Sequence, residues 1–161
     1  MILKMGKRVS SLEKRQFESL AQWPLNSTTK RVVAEMQWTT KFTHLVETEY
    51  RKFIFLAAVR PHFSYGMTGP VDAYWHQHVL NTRDYLEMCH AVAGHVIHHL
   101  PTETESRVVD FDGAYGRTLS DLEEYFGSVS GEIWPRLDQA CRSCQGCKAA
   151  IDKGFDRQIA F

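Results

Sequence analysis

Two segments of the chain, residues 42–57 and 85–97, carry apolar side chains at intervals of three and four positions. This spacing places the apolar side chains on one face of an α-helix and the polar ones on the opposite face. We therefore predict two amphipathic helices that pack against each other in the core. The apolar positions are Phe42, Leu45, Val46, Tyr50, Phe53, Ile54 and Ala57 in the first segment, and Tyr85, Leu86, Cys89, Val92, Ala93, Val96 and Ile97 in the second.

Helix start and stop signals divide the remainder of the N-terminal half. The serines at positions 10–11 precede an apolar-periodic run that ends at Trp23, before a proline. A second run covers residues 28–60 and is stopped by the proline that follows. An unbroken helix of about 30 residues would be about 45 Å long, which is long for so small a domain. We therefore predict a bend near Thr39 and Thr40.

The middle of the chain contains a loop followed by two predicted helices. Residues 62–70 contain two glycines and a proline and predict the loop. Residues 71–80 predict a short helix. Asn81 or Thr82 then caps a longer helix, which carries the 85–97 stripe and which we expect Pro101 to close.

The C-terminal third carries weaker signals. Residues 101–116 predict an exposed, irregular crossing between helices. Thr118 and Asp121 resemble a capping box at the start of a helix, and Gly127 is placed to end that helix. The segment that follows is predicted to be a turn in which Trp134 is buried as an anchor.

These elements predict an all-α protein of about five or six helices. A chain of 161 residues suits one domain, and 43% hydrophobic with 24% charged residues is ordinary for a globular protein. We expect a single domain over residues 1–161, with a core at about 10–140 and an irregular cysteine-containing tail at 141–161.

The net charge, the apolar runs and the N-terminal segment indicate which partners and which cellular location to expect for this protein. The 19 basic and 19 acidic side chains give zero formal charge, so nucleic acid is not expected as a partner. No apolar run approaches the roughly 20 residues that span a bilayer, and the N-terminus lacks the pattern of a secretory signal, so we predict no membrane association and a cytoplasmic protein. No nucleotide-binding motif is present.

Histidine is concentrated in the centre of the chain, where six of the eight histidines lie between positions 76 and 99. His76 is four positions after Asp72, so on a helix the carboxylate can orient the imidazole. His76 and His78 would point about 200° apart on a helix, and can bind one ion only if the segment is irregular. Alternatively, His76 is a buried structural histidine that is hydrogen-bonded to Asp72. Trp75 beside it is expected to be a core anchor.

The following helix offers further candidate ligands. His95 and His99 are four positions apart and would share one flank of a continuous helix, a spacing that suits chelation. Cys89 lies within the apolar stripe and is either a ligand or an inert core thiol. We predict a metal site formed by His76, His78 and His99, with Cys89 or His95 as substitutes and Asp72 as a hydrogen-bond partner of a ligand.

Cys141, Cys144 and Cys147 form a second candidate site. The CxxCxxC spacing lets thiolates converge on zinc or on an iron–sulfur cluster, but three sulfurs leave one position unfilled. Redox chemistry and unliganded thiols remain alternatives.

Parts of the chain resemble the bacterial and plant glycine-rich domain-containing proteins. The matching features are YRKFIFLA, then Pro70 with VDAYWHQHVLNTRDYLEMC and HHLP, and later TLSDLEEYFG and GEIWP. The resemblance implies that Asp72, Trp75, His76 and His78 define the family. Plant members are associated with development, stress responses and RNA binding, but the neutral charge of this chain does not support RNA binding.

The sequence therefore leaves three functional hypotheses. The preferred one is a non-enzymatic module that binds a metal, zinc or iron, or an unknown protein partner through the segment from Asp72 to His99. The second is a metal-dependent hydrolase that uses the same histidines to hold a catalytic ion. The third is a structural adaptor in which the histidines only complete the core.

Overall fold

The computed structural model describes residues 9–99 and 111–136, and this part of the chain contains six α-helices and no β-strand. The prediction of an all-α fold is confirmed. The tail predicted at 141–161 lies outside the described residues. The helices are α1 (Ser11–Gln22), α2 (Asn26–Met36), α3 (Thr40–Val59), α4 (Gly69–Val79), α5 (Thr82–Ala93) and α6 (Phe111–Phe126).

Helix α3 is the centre of the fold and contacts α1, α2, α4, α5 and α6. The predicted packing of the two amphipathic segments is therefore found, although α5 also packs on α1 and α4. Because neighbours surround α3, burial is not confined to its predicted stripe. Phe55 and Leu56 lie off that stripe and are both fully buried. A helix that is apolar on most sides is typical of the interior of a bundle.

The predicted bend in the 28–60 run is a complete break between α2 and α3. Gln37 adopts a left-handed conformation with φ of 51° and ends α2. Thr39 then caps α3, because its side chain accepts a hydrogen bond from the Phe42 amide at 3.2 Å. At the start of α1, Ser10 and Glu13 form a reciprocal capping box. Side-chain caps of this kind replace the hydrogen bonds that the first helical amides lack.

Helix α5 ends at Ala93, which corrects the prediction that the helix continues through Ile97 to Pro101. Gly94 has φ of 75° and forms the left-handed C-cap of the helix. Glycine adopts this conformation without the steric cost that a side chain imposes. Residues 94–99 continue without helical structure, yet Ile97 is still buried, with 7% of its surface exposed. Apolar residues therefore continue beyond Gly94 although the helix does not, because this non-helical segment also packs on the core.

Helix α6 begins at Phe111, so the predicted capping box at Thr118 and Asp121 is wrong. Thr118 lies inside the helix and donates to the Gly66 carbonyl oxygen at 2.7 Å, and Asp121 accepts from Arg60 at 2.7 Å. Both side chains make tertiary contacts instead of capping. Of the predicted irregular crossing, residues 111–116 are helical and 101–110 lie outside the described residues.

The loop before α4 approaches α6 closely at Gly66. A Cβ atom on Gly66 would lie 2.8 Å from the backbone nitrogen of Tyr115, so only glycine fits without displacement of the backbone. This contact fixes the loop that leads into α4, the helix that carries the first candidate ligands. Gly127, with φ of 76°, ends α6 as predicted.

The predicted burial of Trp75 and Trp134 is confirmed. Trp75 is 3% exposed and Trp134 is 1% exposed. The indole nitrogen of Trp134 donates to Glu49 Oε2 at 2.9 Å, which satisfies its only polar group in the interior. None of the described helices combines the length and apolar character needed to span a membrane.

Candidate metal centre

Asp72 and His76 lie one turn apart on helix α4. The helix begins at Gly69 with Pro70 in its first turn, which is a favourable position for proline because no helical amide bond is lost there. Asp72 Oδ2 lies 3.2 Å from Nδ1 of His76. The four-residue spacing therefore brings the carboxylate and the imidazole together, as expected from the sequence.

His99 reaches the same carboxylate from outside the helix. Its Nε2 atom lies 2.6 Å from Asp72 Oδ1, so one carboxylate contacts both imidazoles. The rings of His76 and His99 have centroids 4.5 Å apart, and the Trp75 ring packs edge-on against His99 at 4.6 Å. Trp75 thus covers the buried side of the site.

The charges of this site stabilise an ionised carboxylate. Burial acts to raise the pKa of Asp72, but the hydrogen bonds to His76 and His99 outweigh it and lower the pKa to about 2. In return, the hydrogen bond to Asp72 raises the pKa of His76, against the opposing effect of partial burial. The site therefore holds a carboxylate anion between two imidazoles across the physiological pH range.

Within the described part of the chain, one group of side chains is able to hold a metal ion, and it consists of Asp72, His76 and His99. One ligand atom from each residue lies within 4.8 Å of the other two. Two imidazoles and one carboxylate suit zinc or iron(II), and leave at least one coordination position for another ligand. The His76 side chain is 47% exposed, so one side of the site is open to solvent.

His78 does not join this group, because α4 is regular through residues 76–78. Its side chain is fully buried on the opposite side of the helix. Nδ1 lies 2.7 Å from the Tyr50 hydroxyl and Nε2 lies 2.9 Å from Asp84 Oδ2, so both ring nitrogens have protein partners. Burial lowers the pKa of His78 despite the contact with Asp84. These contacts fit a neutral imidazole that completes the core, with the Tyr50 hydroxyl donating to Nδ1.

The predicted substitute ligands also lie apart from the three-residue group. Because α5 stops at Gly94, His95 does not share a helical flank with His99, and its side chain is exposed. Cys89 is buried in the core, where burial raises the pKa of its thiol. Cys141, Cys144 and Cys147 lie outside the described residues, so their predicted site remains a sequence-based prediction.

Two features of the site go beyond what the sequence pattern predicts. The pattern predicts only that Asp72 orients His76, but the two carboxylate oxygens contact both imidazoles and are placed to act as ligands themselves. Tyr85 belongs to the predicted apolar stripe, yet its hydroxyl accepts a hydrogen bond from Trp75 Nε1 at 3.0 Å and donates to the Ile97 carbonyl oxygen. A tyrosine in an apolar stripe is a general signal for such a polar contact, although it does not specify the partner.

Comparison with known proteins corrects the family suggested by the sequence motifs. The family model described as UCP032817-like matches residues 7–112, about two thirds of the chain. The match includes all three residues of the candidate metal centre, and ends two residues into α6. No curated protein and no solved structure matches the chain. The resemblance to glycine-rich domain-containing proteins was therefore wrong: short motifs such as WHQH are too brief to establish a family. The chain belongs to the UCP032817-like family.

Proposed function

We propose that this protein is a metal-binding helical module whose ligands are Asp72, His76 and His99. The observation that carries the proposal is the convergence of one potential ligand atom from each residue within 4.8 Å. Two of the ligands come from a regular helix and the third comes from a segment packed against it. The ion would therefore join two parts of the chain that are far apart in sequence.

The ligand chemistry favours zinc, with iron(II) as the alternative. Imidazole nitrogen suits both metals, and a single carboxylate adds one negative charge without forming the all-oxygen site that magnesium and calcium prefer. Ligand atoms around tetrahedral zinc at about 2.0 Å lie about 3.3 Å apart. The 3.2 Å contact between Asp72 and His76 already has this length. The 2.6 Å contact between Asp72 and His99 is a hydrogen bond that would lengthen on metal binding.

A metal-dependent hydrolase is the second candidate, and the exposure of His76 favours it. Three protein ligands and an open side are the arrangement in which zinc activates a water molecule. The same open position suits a side chain from a protein partner, so partner binding stays within the proposal. An exchangeable water on the bound ion would support the enzyme, whereas a fully protein-ligated ion would support the non-enzymatic module.

A structural adaptor, in which the histidines only complete the core, is the third hypothesis. His78 fits this description, because both of its ring nitrogens have protein partners. The Asp72 group also has internal hydrogen bonds that do not require a metal. The structural adaptor and the metal-binding module differ in how the protein responds to titration with metal. A structural cluster would take up no ion, whereas a ligand set would bind one equivalent and release protons.

The proposal is tested by calorimetric titration with Zn²⁺ and Co²⁺. The protein carries no histidine tag, and Cys141, Cys144 and Cys147 are replaced by serine so that the tail cannot contribute thiolates. We expect one equivalent to bind, and expect His99→Gln or Asp72→Asn to weaken binding by at least about 10-fold. His95→Gln is the matched control because His95 is exposed and close in sequence to His99. Equal binding by all four proteins, or no binding by the parent, would refute the proposal.

A further inference from the structure

Because His99 follows a helix terminus, its position depends on contacts that hold residues 94–99 against the core. The backbone of this segment has left the helical hydrogen-bonding pattern at Gly94. Ile97 is its buried anchor, and the Ile97 carbonyl oxygen accepts a hydrogen bond from the Tyr85 hydroxyl. Tyr85 thus contacts the backbone two residues before His99.

The same hydroxyl also contacts the other wall of the candidate metal centre. Trp75 Nε1 donates to the Tyr85 oxygen at 3.0 Å, and the Trp75 ring packs against His99. Trp75 lies on α4 between Asp72 and His76. One phenolic oxygen therefore connects α4, which carries two of the ligands, with the segment that carries the third.

The environment of Tyr85 suits a fixed structural contact. Its side chain is 5% exposed, and its ring packs edge-on against His78 at 5.2 Å. Burial raises the pKa of Tyr85 well above the usual range, so the hydroxyl remains protonated and continues to donate to Ile97. The Cys89 thiol is a further polar group at this contact, with hydrogen bonds to Tyr85 and to the Ile97 backbone. Hydrogen bonds in the low-dielectric interior are electrostatically stronger than in water, so this small network favours one geometry.

We propose that Tyr85 is a positioning residue of the metal centre, which holds His99 at the distance from Asp72 and His76 that permits one ion to contact all three. This inference rests on the proposed function. Tyr85 does not touch the ligand atoms itself. It acts through the Ile97 carbonyl and through the Trp75 ring.

The test compares Tyr85→Phe with Tyr115→Phe. Tyr115 is similarly buried, at 4% exposure, and its hydroxyl likewise donates to a backbone carbonyl, that of Pro135 at 2.8 Å. Both substitutions remove a hydroxyl and keep the ring. We expect Tyr85→Phe to weaken Co²⁺ binding about 10-fold and to change the visible spectrum of the bound Co²⁺, which reports ligand geometry. Tyr115→Phe is expected to leave both unchanged even where its thermal stability falls by the same amount.

Three results are informative in different ways. Parental affinity and spectrum in Tyr85→Phe, or the same loss in Tyr115→Phe, would overturn the positioning role while leaving the metal centre intact.

If the parent binds no Co²⁺, the proposed function fails, and the positioning role is decided on the metal-free protein. There, the nuclear Overhauser contact between the Trp75 and His99 rings should be lost in Tyr85→Phe, and its retention would refute the role. If Tyr85→Phe does not fold, Trp75→Phe removes the indole hydrogen bond to the Tyr85 oxygen. This variant is judged by the affinity and the visible spectrum of bound Co²⁺ alone, and parental values for both would refute the role.

Discussion

Asp72 and His99 are separated by 27 positions in the sequence, yet Asp72 Oδ1 and His99 Nε2 lie 2.6 Å apart. The contact joins a helical residue to a residue beyond the end of the next helix. It also places His99 next to His76, the other imidazole bound to the same carboxylate. The pairing of Asp72 with His99 is therefore the relationship on which the candidate metal centre depends.

The first prediction concerns His76→Gln. Glutamine can keep one hydrogen bond to Asp72 but does not replace imidazole as a metal ligand. Because the His76 side chain is 47% exposed, we expect a stability loss below about 1 kcal/mol. Metal binding should be lost. Thermal unfolding and metal content are measured together, with His95→Gln as the control. A large loss of stability with metal binding intact would assign His76 to the structure alone.

The candidate site is only partly predictable from local sequence. The spacing of Asp72 and His76 is a helical pattern, and the structure retains it. The sequence favours His99 as a ligand through a continuous helix, but His99 reaches the site because Gly94 ends that helix. The direction of the chain after a left-handed cap depends on tertiary packing. Helical periodicity therefore does not reveal which carboxylate His99 meets.

The fold is more predictable because it depends on apolar periodicity and on caps. The stripe from Phe42 to Ala57 and the break near Thr39 are both visible in the sequence. The start of α6 is not, because Thr118 and Asp121 have the residue types of a cap but contact Gly66 and Arg60 instead. Local propensity does not distinguish these two uses of a short polar side chain.

The second prediction concerns Trp134→Ala. Trp134 is almost completely buried and its indole nitrogen donates to the buried Glu49 carboxylate. Loss of the ring leaves a cavity and removes that donor, so we expect a cost of about 3–5 kcal/mol. Trp38→Ala is the control, because Trp38 is only partly buried and packs on Phe42. Urea unfolding, monitored by circular dichroism, gives the free energy of unfolding of both variants. Equal small losses would show that Trp134 is not a core anchor.

The third prediction concerns the acid sensitivity of Glu47. Burial acts to raise its pKa, but hydrogen bonds from Thr29 and Arg51 outweigh this and lower the pKa below 4.5. The folded protein therefore binds fewer protons at this group than the unfolded chain does. Its contribution to stability is present above pH 4.5 and is lost as the pH falls through the folded pKa.

Glu47→Gln tests this linkage. The variant should be less stable at neutral pH, and its free energy of unfolding should fall less steeply on acidification than that of the wild type. The control is Glu18→Gln, since Glu18 is exposed and lies 3.9 Å from Lys14. Urea denaturation across about pH 7 to pH 3 measures the slopes. Parallel slopes for Glu47→Gln and wild type would contradict the predicted linkage.

The fourth prediction concerns the reactivity of Cys89. Its thiol is buried, and burial raises its pKa, so the nucleophilic thiolate is scarce in the folded protein. With Cys141, Cys144 and Cys147 changed to serine, Cys89 is the remaining one of the four cysteines. We expect iodoacetamide to label it only after denaturation, as followed by mass spectrometry. Rapid labelling of the folded protein would show that the thiol is accessible and would reopen its assignment as an inert core residue.

The central claim is that Asp72, His76 and His99 bind one metal ion, and X-ray absorption of the zinc-bound protein tests it most directly. The sample is the untagged triple cysteine-to-serine variant with one equivalent of Zn²⁺. We predict a coordination sphere of nitrogen and oxygen atoms at about 2.0–2.1 Å, with the more distant scattering of two imidazole rings, and no sulfur at about 2.3 Å. The imidazole signal should fall in His99→Gln. A spectrum without imidazole scattering, or one that His99→Gln leaves unchanged, would contradict the account.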